Sequence, residues 1–135
     1  MAEPDDEKAL AEERTDWAER RTNWAEDRTV MANERTFAGW MRTGLASVGI
    51  GVGFHALFGR LEPLWFPKAL ASIFVAVGIG IFMAGQHKAA RVAKRLEAHK
   101  SVAMRGLTMQ LMAGAMIAAS VLLIAALWLL DLGPA

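Results

Sequence analysis

Cysteine is absent from the chain, which excludes disulfides, thiol nucleophiles and cysteine metal sites. Acidic residues are scarce over most of it: eleven of the fourteen lie within residues 1–43. No His-Glu metal spacing, nucleophile motif or glycine-rich phosphate loop occurs, and Gly49-x-Gly51-x-Gly53 sits in apolar helical sequence, where it reads as packing. No catalytic residue, metal or cofactor is therefore expected. The opening Met1–Glu7 is acidic and lacks the basic start and early apolar core of a signal peptide, so membrane insertion is expected to be driven by later segments. Proline and glycine are both missing between Asp5 and Thr36. With Ala, Glu and Arg abundant there, this predicts one uninterrupted helix, begun by Pro4 and Asp5.

What fills that helix is a repeat. Arg-Thr recurs every seven residues, at Arg14-Thr15, Arg21-Thr22, Arg28-Thr29, Arg35-Thr36 and Arg42-Thr43, with Trp17-Ala18-Glu19, Trp24-Ala25-Glu26 and Met31-Ala32-Asn33 between them. A strict period of seven keeps a stripe on one helix face only if the helix supercoils against a partner. Two seams have that spacing. A small one carries Ala18, Ala25, Ala32 and Gly39 beside the threonines; the other alternates Arg with Trp or Met. At i±3 and i±4, the neighbours a helical side chain reaches, none of the five arginines meets an acidic residue. Arg20, outside the column, has Asp16 one turn earlier. The counter-charge of the column has three candidate sources. These are tryptophan faces together with Glu19 or Glu26 of an adjacent subunit, an anion on a central axis lined by stacked arginine rings, or lipid headgroups.

A hydrophobic content of 54% and three long apolar blocks predict membrane spans at about 37–58, 68–85 and 107–130. The expected fold is an all-α integral membrane protein with three transmembrane helices. Residues 1–36 extend the first helix as a cytoplasmic heptad-repeat helix, and residues 37–135 form the membrane domain. Gly49 and Gly53 make a GxxxG match in the first span, so they join Ala18, Ala25, Ala32 and Gly39 as expected oligomer-packing positions. His55 reads either as a tolerated interfacial polar residue or as part of a path. Residues 86–105 carry six Lys or Arg against Glu97 alone. That run lacks interleaved aromatics, which disfavours a nucleic-acid patch, and it places both itself and the N-terminal third on the cytoplasmic side. The chain is expected in a bacterial-type inner membrane, N-terminus inside and C-terminus outside.

The run Asn33-Glu34-Arg35-Thr36-Phe37, followed by Trp40 and Arg42-Thr43-Gly44, resembles the YidH-like family, grouped as domain-of-unknown-function family 202. The resemblance covers roughly residues 25–130. Against the family pattern, Met31 stands for the first leucine and Ala38-Gly39 for Leu-Ala. The same module is similar to the membrane part of the eukaryotic vacuolar transporter chaperone, which makes polyphosphate and passes it across a membrane. In that complex, subunits surround a central path faced by basic residues of the first helix. By that resemblance Arg35 is the motif arginine, Glu34 the motif glutamate, and Arg28 a basic position one heptad earlier. The polymerase and phosphate-sensing domains of that complex have no counterpart in these residues, so the resemblance implies no catalytic site.

Two functions are expected from this. One is a homo-oligomeric anion or polyanion conduit, five-fold by analogy, using Arg14, Arg21, Arg28, Arg35 and Arg42. The other is a non-conducting scaffold whose cytoplasmic helices form a self-associating stalk. The partners expected are the bilayer, further copies of the chain and an anionic lipid or polyanion, with no nucleic acid.

Overall fold

The computed structural model describes residues 3–96 and 100–130, the side chains of 100–105 excepted. Three helices follow in order: α1 Pro4–Phe58, α2 Trp65–Arg95 and α3 Lys100–Leu129. Glu3 is extended, Pro4 takes the first helical position, and Asp5, Asp6 and Glu7 fill the first turn, where carboxylates oppose the helix dipole. With no breaker before Gly39, α1 continues through residue 36 and past the glycines for 55 residues, roughly 80 Å. Short connections return the chain, so the three helices run up, down and up. α2 lies in the middle and packs on both others, while α1 and α3 touch little. Because α2 has only 31 residues, the first part of α1 overhangs it, and every described residue up to Ala25 is exposed.

The inward stripe has a period of seven on each helix. On α1 it is Val30, Phe37, Gly44 and Gly51; on α2, Ala71, Gly78 and Gly85 alternate with Val75, Phe82 and Ala89; on α3, Ala113, Ser120 and Leu127. This three-four alternation is the seam that lets helices cross at a shallow angle. The α1–α2 seam is built on glycine. A Cβ at Gly51 would stand 2.8 Å from the Ala71 carbonyl oxygen, and one at Gly78 would stand 3.0 Å from the Gly44 carbonyl oxygen. At Gly44 and Gly85 the close neighbours are the Phe82 ring and Trp40 Cβ. Within the chain, close approach therefore falls to Gly44, Gly51, Gly78 and Gly85. A Cβ at Gly39, Gly49, Gly53, Gly80 or Gly114 would meet nothing within 4 Å.

Polar side chains stitch the same seams. Ser47 Oγ donates to the Phe74 carbonyl at 2.8 Å, and Asn33 Nδ2 to the Ala89 carbonyl at 3.4 Å. Trp128 Nε1 of α3 donates to Ser72 Oγ at 3.0 Å, while that hydroxyl donates to the Lys68 carbonyl.

Among the described residues, two helices are long and apolar enough to cross a membrane, Trp65–Arg95 and Gly106–Leu129, with mean hydropathy 1.9 and 2.3. The stretch 37–58 is not one of them, because Arg42, His55 and its glycines dilute its apolar character. The basic stretch expected as a helical link between the last two spans belongs largely to α2, which ends at Arg95. Leu96 N–H there bonds to the Ala93 carbonyl. Glu97, His99 and Asp131–Ala135 lie outside the described residues, as do the side chains of Lys100 and Arg105.

Candidate functional site: the outer face of the first helix

Arg35 follows Val30 by five residues, roughly 140° around a helix. The arginine column is thus turned away from the seam that holds α2, and Arg14, Arg21, Arg28, Arg35 and Arg42 are all exposed. None of them forms an ion pair with another described residue. Trp17, Trp24 and Met31, the bulky members of that seam, are exposed as well. The expected stacking of column arginines on these rings is not formed within the chain. It is Arg20 that lies over the Trp17 ring, at 5.7 Å, in place of the expected pairing with Asp16.

The threonines take care of themselves. In each of Thr15, Thr22, Thr29, Thr36 and Thr43 the hydroxyl donates to the carbonyl four residues back, at 3.0 Å. A hydroxyl satisfied on its own helix leaves the adjacent small seam smooth. Ala18, Ala25, Ala32, Gly39 and Gly49 are exposed and Gly53 partly so, and the three glycines among them have open space beside them.

The motif residues are spread around α1. Asn33 reaches α2, and Trp40 meets Gly85 with Lys88 Nζ 4.8 Å above its ring. Glu34 is partly buried and engaged, facing a recess toward α3 with Phe37, Met41 and Met109. Arg35, Thr36, Arg42 and Thr43 are exposed. Glu26 is also engaged within the chain, whereas Glu19 is exposed. His55, partly buried at the end of α1, keeps Nδ1 without a hydrogen bond. Among the described residues no three His, Asp or Glu converge on a point that could hold a metal.

The buried stripe Val30, Phe37, Gly44, Gly51 shares the period of the arginine column and lies on the opposite side. The conspicuous Arg-Thr repeat overshadows it, yet its own spacing of seven is legible in the sequence.

A family model described as a domain of unknown function (DUF202) matches residues 28–95, half of the chain. It covers α2 and the part of α1 packed on it, with Arg28, Arg35 and Arg42. Arg14, Arg21 and α3 lie outside it, so the match is shorter than the expected 25–130. No curated protein and no solved structure matches the chain, and the likeness to the vacuolar transporter chaperone module finds no support there.

Proposed function

The chain belongs to the DUF202 family, and from that premise we propose a small homo-oligomeric inner-membrane protein that conducts an anion or polyanion along arginine rings of α1. In this reading residues 37–58 cross the bilayer as a third span beside α2 and α3. The overhanging part of α1 stands in the cytoplasm as a heptad-repeat helix, and the C-terminus lies outside. The carrying observation is the outward arginine column, which is exposed and unpaired among the described residues. Beside it runs a face thinned by Ala32, Gly39, Gly49 and Gly53. Small residues on an outer face allow helices of neighbouring copies to approach closely in lipid, where apolar burial gives no drive to associate. Arginine rings are the kind of lining that draws anions into a pore. Glu26 already has a partner in its own chain, which leaves the column fewer carboxylates of a neighbour to pair with.

The test is anion or polyphosphate flux into liposomes holding the full chain. Flux at least about tenfold above empty vesicles, lost in Arg35→Ala/Arg42→Ala, is expected; flux unchanged by the double substitution removes the conduit.

The scaffold reading rests on a different observation: no basic residue lies between Arg42 and Arg60, so the far half of 37–58 presents no charge to a travelling anion. It predicts stable oligomers with no flux, in which Arg21 and Arg28 pair with Glu19 of a neighbour.

A further inference from the structure

One flank of the α1–α2 hairpin is used neither by the buried seam nor by the arginine column. Here Thr29 and Thr36 of α1 stand beside Lys88, Arg91 and Arg95 of α2, around an open recess of roughly 410 Å³. Among the described residues no carboxylate lines it. Lys88, Arg91 and Arg95 fall at i, i+3 and i+7, one face of a helix, so their charges converge on this flank. Thr36 also borders a second recess, lined by Gly39, Trp40, Thr43 and Ile81. The two recesses meet at Thr36 and follow one another along the heptad positions 81, 88 and 95 of α2 as a groove, with Ile81 and Lys88 roughly 10 Å apart by the helix rise. Its character changes along its length: three cations at one end, apolar side chains and an open glycine at the other. Lys88 over the Trp40 ring marks the change. It falls where the apolar stretch of α2, ending at Gly85, meets its basic last turns.

We propose that this groove seats an anionic phospholipid, its phosphate against Lys88, Arg91 and Arg95 and an acyl chain along Gly39, Trp40 and Ile81. Charge complementarity selects the occupant. Three basic side chains with no carboxylate among the described lining residues favour an anion, and an apolar trough running from them into the apolar part of α2 matches the shape of a lipid rather than a soluble phosphate. The site takes no arginine from the column, but it shares Ala32 and Gly39 with the small face beside it, so a lipid seated here stands at the margin where neighbouring copies would approach.

Trp40 reports on the site directly. In a full-length chain whose other tryptophans are replaced by phenylalanine, bilayers containing phosphatidylglycerol brominated on its acyl chains should quench Trp40 more than equal amounts of brominated phosphatidylcholine. Native mass spectrometry of the wild-type chain should find phosphatidylglycerol retained. Substituting Lys88, Arg91 and Arg95 together by glutamine should weaken retention roughly hundredfold, given the usual worth of each basic residue near an anionic surface, and Lys94→Gln should leave it unchanged. Thr36→Trp, which fills the middle of the groove and alters no charge, should lower retention as well, and serves should the triple variant fail to fold. Equal quenching by both lipids, or retention indifferent to both groove variants, overturns the proposal. So does displacement of the lipid by inorganic phosphate, which would mark a soluble-anion site.

Discussion

Gly51 has no room for a side chain: its would-be Cβ meets a backbone oxygen of α2, which cannot rotate away. Gly51→Val should force α1 and α2 apart and lower the stability of the hairpin by about 1–3 kcal/mol, read as an earlier loss of helicity on heating in detergent. Gly49→Val, two residues away with nothing within 4 Å, should leave the same curve unmoved. The pair separates packing within the chain from packing between chains, since Gly49→Val is expected to act only on association. These roles were only half legible from residue type. Glycine density between Gly44 and Gly53 announces close helix approach, but which glycine faces a neighbour depends on where α2 lies. The GxxxG spacing of Gly49 and Gly53 points to the outward pair, while the partner helix sits on the face of Gly44 and Gly51.

The helices divide their labour by length. α1 is 55 residues against 31 for α2, and the surplus hangs free: no described residue before Val30 is buried. Removing residues 3–25 should therefore leave the thermal midpoint of the three-helix unit within about a degree or two, since a few tenths of a kcal/mol is the scale for exposed positions. If the overhang holds copies together, the same truncation should lower the oligomer's size in gel filtration. The existence and start of α1 are readable from the chain because proline, first-turn carboxylates and the lack of breakers act locally. The end of α2 is not. Its basic last turns read as a helical continuation toward the next span, and they are helical through Arg95, but no glycine or proline marks where the helix stops. There Asn33 bonds to the Ala89 carbonyl and the flank of α1 lies alongside.

For the whole molecule, the absence of cysteine makes single-cysteine mapping clean. A cysteine at Ala46 or Gly49, exposed on the outer side of α1, should cross-link copies in membranes under mild oxidation. One at Phe37, buried between the helices, should react with neither a second copy nor a water-soluble maleimide. Cross-linking at Phe37 rather than Gly49 would remove the outer face of α1 as the assembly surface. The chain by itself determines the helical class, the two strongly apolar helices, the repeat and its lack of acidic neighbours at helical spacing, since all of these follow from composition and from contacts within four residues. Only the tertiary structure decides which of the coexisting seven-residue stripes is inside. Val30, Phe37, Gly44 and Gly51 share the period of Arg14 to Arg42, and a period fixes spacing along a helix but not the direction it faces. That direction is set by α2, whose glycines admit the backbone of α1 on one side and leave the arginines and the basic groove on the others.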